Sequence, residues 1–188
     1  MKKLLSILSV CLVFISCSQD RVLDDDLTRK GKVVFFESKP FTGVGFDVHY
    51  NGELWKEDNY KDGKFDGLRK SYYENGQLKM EENWKDGELG FTQSYYYNGQ
   101  LKSEENYKDG KLDGLRKGWY ENGQLWYEQY YKNDEKVGIT KGWYDNGELE
   151  SQINYKDGKG DGLCIEWFEN GRVKMMSNNK DGKIEDTF

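Results

Sequence analysis

Apolar residues along most of this chain do not gather into runs. Large rings alternate instead with charged and polar positions at a spacing of two. In Gly67-Leu-Arg-Lys-Ser-Tyr-Tyr-Glu-Asn-Gly-Gln-Leu-Lys-Met-Glu-Glu-Asn-Trp84 the alternation stops at Asn75-Gly76 and resumes beyond it. A period of two marks a strand whose side chains point to opposite faces. Asn-Gly between two such stretches signals a hairpin, and a two-residue type I′ turn is expected there. On that turn Glu74 faces Gln77, Tyr73 faces Leu78, Ser71 faces Met80 and Arg69 faces Glu82. Tyr72 opposite Lys79 and Lys70 opposite Glu81 then share the other face.

The hairpin recurs. Asn-Gly stands at 51–52, 75–76, 98–99, 122–123, 146–147 and 170–171, in steps of 24, 23, 24, 24 and 24 residues. Asp-Gly stands at 62–63, 86–87, 109–110, 157–158 and 181–182, with Asn133-Asp134 in the missing place. These second turns return the chain to the next hairpin. The single short step comes from Gly87-Glu88-Leu89-Gly90, one residue shorter than Gly63 to Gly67, and the loss is expected in the turn. The prediction is all-β: a single-layer, elongated antiparallel meander of tandem 23–24-residue β-hairpin repeats, about six of them, over residues 31–188. About thirteen strands at roughly 4.8 Å each give a ribbon near 60 Å long.

Three aromatic series keep the period. One is His49, Tyr73, Tyr96, Tyr120, Tyr144 and Phe168; a second is Tyr72, Tyr95, Trp119, Trp143 and Trp167. The third is Phe36, Tyr60, Trp84, Tyr107, Tyr131 and Tyr155, ending in Asn179. Rings one hairpin apart are expected to cover one another, with Leu54, Leu78, Leu101, Leu125, Leu149 and Val173 beside them. Val33 to Glu37 reads as an edge strand with Pro40 in the turn after it, and Lys180 to Asp186 reads as a charged terminal cap.

The first residues read differently. Met1-Lys2-Lys3 precedes an apolar run from Leu4 to Ile15, too short to span a bilayer but suited to a signal peptide. Phe14-Ile15-Ser16-Cys17 resembles a bacterial lipoprotein box. The resemblance implies removal of residues 1–16 and acylation of Cys17, with membrane attachment through its acyl chains. Residues 17–30, including Asp24-Asp25-Asp26, are expected to be a flexible acidic tether. The resemblance also implies a bacterial cell envelope location, at the outer membrane if the host is Gram-negative.

Composition removes several functions. The 188 residues hold 28 Lys+Arg against 34 Asp+Glu, one His and three Cys. A net charge of -6 argues against nucleic acid, and so little His and Cys leaves no material for a metal cluster. No catalytic residue, cofactor or metal site is expected. His49 fills a Tyr slot, Glu81 and Glu82 point to opposite faces, and Cys164 replaces Arg69 and Arg116 in its own copy. The loops holding Asp62 with Asp66 and Asp109 with Asp113 have lysines between the acids, which suits turns better than calcium.

The recurring Tyr-Tyr-Glu-Asn-Gly-Gln-Leu-Lys at 72–79 and Asn-Tyr-Lys-Asp-Gly-Lys-Leu-Asp-Gly-Leu at 106–115 resemble the bacterial MORN-variant repeat. The resemblance covers about residues 31 to 186 and implies a MORN-like solenoid, with YwqK-type antitoxins among the proteins that carry such repeats. The function expected is that of a non-enzymatic, lipid-anchored envelope protein, monomeric, using its sheet as a scaffold for an unknown protein or glycan partner. Tyr72, Tyr95, Trp119, Trp143 and Trp167 are the candidate platform, since Tyr and Trp supply rigid area with a polar tip. The alternative is an antitoxin or immunity-like factor that binds and neutralises a toxin.

Overall fold

The structure, a computed structural model, describes residues 20–187; Cys17 and the apolar stretch before it lie outside the described residues. The chain opens with β1 (Arg21–Leu23), a 3₁₀ turn (Asp24–Asp26), β2 (Thr28–Lys30), β3 (Val33–Phe36), β4 (Lys39–Pro40) and β5 (Gly43–Val48). The repeats follow as β6 (Leu54–Lys61), β7 (Lys64–Tyr72), β8 (Leu78–Lys85), β9 (Glu88–Tyr95), β10 (Leu101–Lys108), β11 (Lys111–Trp119) and β12 (Leu125–Lys132). The last elements are β13 (Glu135–Lys136), β14 (Gly138–Trp143), β15 (Leu149–Lys156), β16 (Lys159–Trp167), β17 (Val173–Lys180) and β18 (Lys183–Thr187). From β5 to β18 consecutive strands pair antiparallel in one long sheet, with β13 and β14 both against β12. The all-β meander is as expected, with eighteen strands in place of about thirteen.

The Asn-Gly turn differs from the sequence reading. At Asn75-Gly76 only Gly76 has a positive φ, 79°. The Gly76 N–H donates to the Tyr73 carbonyl at 2.9 Å, and the Tyr73 N–H donates to the Gln77 carbonyl at 2.8 Å. This is a type I turn followed by a left-handed glycine, a three-residue loop. Asn75 keeps a right-handed backbone because its Oδ1 accepts from the Gln77 N–H at 3.0 Å. The longer loop pairs Tyr72 with Leu78, not with Lys79, and Tyr73 does not reach Leu78. Lys79 is then the extra residue of a β-bulge, and Ser71–Met80, Lys70–Glu81 and Arg69–Glu82 fall where expected. Two one-residue departures cancel.

Asp62 (φ 49°) and Gly63 (φ 78°) instead form the two-residue turn with both centres left-handed, flanked by the Lys61–Lys64 pair. Beyond it Tyr60 pairs with Phe65 but Asp58 pairs with Arg69, so Asn59 faces a wide bulge at Asp66, Gly67 and Leu68. The Asn59 amide fills that bulge by donating to the Leu68 carbonyl, as Asn106 does to Leu115. In the short repeat Trp84 pairs with Leu89 and Asn83 with Phe91, which leaves Gly90 alone extra. The missing residue therefore comes out of the bulge, and the Asp86-Gly87 turn is intact.

The expected tether is ordered from residue 20. β2, β3 and β4 form a small separate sheet that brings Leu27, Val34 and Phe41 onto Tyr60, the one buried apolar cluster among the described residues. Phe36 and Phe41 occupy the Tyr60 and Phe65 slots one period earlier, but the turn between them comes early, at Glu37-Ser38, so Phe35 pairs with Pro40. β3 therefore leaves the long sheet and is not its edge. Pro40 lies in β4, the outer strand of the small sheet, where its missing N–H costs no pairing. β1 takes the vacated place and runs parallel to β5, Val22 opposite Gly45. At the other end the charged segment after Lys180 is a pairing strand, β18, exposed throughout.

Candidate interaction surface

One face of the long sheet carries the second aromatic series. Tyr72, Tyr95, Trp119, Trp143 and Trp167 close β7, β9, β11, β14 and β16. Their opposite neighbours are Leu78, Leu101, Leu125, Leu149 and Val173. All five rings are half-buried. Contrary to the sequence expectation they do not cover one another, because two strand spacings put them roughly 9.6 Å apart and ring pairs need 4.5–7 Å. The leucines fill the gaps, giving one apolar band along the ribbon. Ten residues in ten successive strand positions span roughly 43 Å.

The first aromatic series holds that band in place. The hydroxyls of Tyr73, Tyr96, Tyr120 and Tyr144 donate to the carbonyls of Tyr95, Trp119, Trp143 and Trp167, at 2.7, 2.7, 2.8 and 2.8 Å. His49 makes the equivalent contact, its Nε2 lying 3.0 Å from the Tyr72 carbonyl, so it works as a rung. Every ring of the candidate platform thus has its backbone pinned by the preceding repeat. A second ladder runs through the turns. The amides of Asn51, Asn75, Asn98, Asn122 and Asn146 donate to the carbonyls of Glu74, Tyr97, Glu121, Asp145 and Glu169 at 2.7–3.3 Å. Sequence reasoning took these asparagines for positive-φ residues. The signal available was their strict recurrence, since glycine would serve a type I′ turn as well.

Charge on this face is paired within the sheet. Lys70 meets Glu81 at 3.0 Å, Lys117 meets Glu128 at 3.3 Å, and Gln93 donates to Glu104 at 2.8 Å. The opposite face holds the buried polar groups. Arg69 lies between Asp58 (2.9 Å) and Glu82 (3.1 Å), which confirms that Glu81 and Glu82 serve different faces. Burial pushes the Asp58 carboxyl up, and the neighbouring Arg69 offsets only part of this. Burial also raises the Tyr107 phenol to about 12, helped by its hydrogen bond to Glu105. Asp66 and Asp113, in the loops weighed for calcium, bind Lys85 and Lys132. Cys164 is buried, and its thiol is pushed up by that burial, against a thiolate role. Among the described residues no three His, Cys, Asp or Glu side chains come together as metal ligands.

The most exposed rings are others: Tyr50, Tyr97, Phe168 and Trp126. Trp126 occupies the bulge position of Lys79 and Lys102, and packs edge-on to Tyr127 with centroids 5.2 Å apart. The bulge points its side chain over the first aromatic series, where Lys79 and Lys102 cover Tyr73 and Tyr96 at 5.7 and 5.5 Å.

Residues 65–86, 92–109, 112–133 and 136–157 match the MORN repeat variant. Each matched stretch is one hairpin, from the strand after an Asp-Gly-type turn to the start of the next such turn. The chain therefore carries MORN-variant repeats, and the hairpins before and after the matched stretches continue the same architecture. No curated protein matches the chain.

Proposed function

We propose that this MORN-variant repeat chain is a non-enzymatic scaffold, lipid-anchored at Cys17 in the bacterial envelope, that presents its apolar band to a protein partner. The observation that carries the reading is the band itself. Tyr72, Tyr95, Trp119, Trp143 and Trp167 stand on one face, in register, with their backbone fixed by His49 and the Tyr ladder. Rings whose positions are set before binding lose little entropy on contact, which favours their use as anchors. The small N-terminal sheet packs on the opposite face, over Tyr60.

Trp119→Ser and Trp143→Ser, each assayed for unfolding and for crosslinked partner capture from intact cells, test the platform. Folded variants with lost capture support it; unfolded variants or unchanged capture remove it. Palmitate labelling tests the anchor. Label that persists in Cys17→Ala removes it, and recovery as an unprocessed soluble chain favours the toxin-neutralising alternative.

A further inference from the structure

The other face of the sheet holds a cleft of about 470 Å³, where the β2–β3 hairpin overhangs the second repeat. Its floor is Phe65 and Trp84, with ring centroids 5.1 Å apart. Both rings are fixed: the Trp84 indole N–H donates to Glu82 at 3.0 Å, and Phe65 stacks on Tyr60 at 4.9 Å. The rim carries Lys32, Lys64, Asp86 and Glu88, with Arg29 beside them already paired to Asp24 at 2.7 Å. Among the described residues none of these four side chains has a salt-bridge or hydrogen-bond partner, whereas the adjacent Lys85 and Asp66 are paired at 2.8 Å.

We propose that this cleft is a binding site for a neutral saccharide. An apolar ligand would bury the rim charges without partners, at a cost in desolvation. An anion or cation would meet a like charge on the rim for each opposite one. A sugar ring avoids both problems. Its C–H face lies on Trp84 and Phe65, while its hydroxyls accept from the ammonium groups and donate to the carboxylates. The volume lies within the range of small-molecule sites, roughly 300–1,000 Å³. The site is on the face opposite the apolar band and stands independently of the scaffold reading.

The test follows the six tryptophan indole N–H signals of the ¹⁵N-labelled full chain, with Trp84→Phe assigning its own. The probes are N,N′-diacetylchitobiose and maltose, with glycyl-phenylalanine as a zwitterionic comparison. Lys32 and Glu88 are exposed, so the double variant Lys32→Ala/Glu88→Ala leaves the fold intact. Saturable movement of the Trp84 signal with at least one disaccharide, about tenfold weaker in the double variant, is the expected result. No movement with either disaccharide, movement with the dipeptide instead, or equal binding by the double variant overturns the proposal.

Discussion

Replacing Asn122 by glycine separates the two possible turn types cleanly. In a type I′ turn the residue would hold a positive φ, and glycine would relieve strain, for a gain of about 0.4–1 kcal/mol. In the turn observed, Asn122 accepts from the Gln124 N–H at 2.9 Å and donates to the Asp145 carbonyl at 2.7 Å. Each exposed bond is worth about 0.5–1 kcal/mol, and glycine frees the unfolded chain by a further 0.5–1 kcal/mol or so. Asn122→Gly should therefore lose about 2 kcal/mol. Asp109, at φ 51°, is the control, since its side chain makes no hydrogen bond among the described residues and its backbone is left-handed. Asp109→Gly should leave stability within about 0.5 kcal/mol of the parent or raise it. Urea unfolding of the full chain reads both, with an unchanged m-value as the condition for comparing midpoints. An Asn122→Gly chain as stable as the parent, beside a weakened Asp109→Gly chain, refutes the turn assignment and the inter-repeat ladder with it.

Tyr120→Phe removes the 2.8 Å bond to the Trp143 carbonyl and keeps the ring, so a loss of about 1 kcal/mol in urea unfolding is expected. Asp58→Asn should cost about 1–2 kcal/mol near neutral pH through its weakened bond to Arg69. Its pH dependence has a definite sign. Burial, only partly offset by Arg69, holds the folded Asp58 carboxyl above its ordinary 3.8. The folded state therefore binds that proton more tightly, and the contribution of Asp58 is most favourable below 3.8 and is lost as pH rises through the folded value. Parent stability measured against Asp58→Asn should thus improve as pH falls from 7 towards 4; a shrinking difference counts against it. Asp66, lowered by its bond to Lys85 and remote from Asp58, titrates in both chains and cancels.

The period, the meander and the mid-strand pairs were legible because they depend only on side-chain alternation and on the distance between turns. Arg69–Glu82 and Lys70–Glu81 could be paired on paper for that reason. The turns were not legible, because Asn-Gly and Asp-Gly both permit two positive φ values and only the side chains decide between them. Asn75 has the Gln77 N–H and the next turn within reach, and Asp62 has no such pair. The pairing survived that error because the bulge at Lys79 restores the register that the longer loop takes away. The shared face of Tyr72, Tyr95, Trp119, Trp143 and Trp167 followed from alternation, but their neighbours are Leu78 and its equivalents, not one another. The cleft at Trp84 was invisible, since it forms between residues 29–34 and 64–88, and the first of these was read as partly tether.

The two ends of the sheet show what a one-layer repeat must solve. A strand inside the ribbon is covered by its neighbours, but the first and last each leave a row of unpaired N–H and C=O groups. At the start, the shortened connection at Glu37-Ser38 sends β3 over Tyr60 and frees the edge of β5 for β1. That exchange needs small residues where the later repeats carry large ones. Gly45 stands in the column of Arg69 and Arg116, and a Cβ there would come within 2.9 Å of Leu27 and 3.0 Å of the Tyr60 ring. The same column that binds acids across the sheet in later copies is here emptied to admit a hydrophobic lid. At the far end nothing covers β18 among the described residues, and Lys183, Glu185 and Asp186 give the outer strand a mixture of charges that another strand would have to accommodate. One end finishes in a three-residue strand, β1, beside the packed cluster, the other in a charged strand, and the repeats between them need neither.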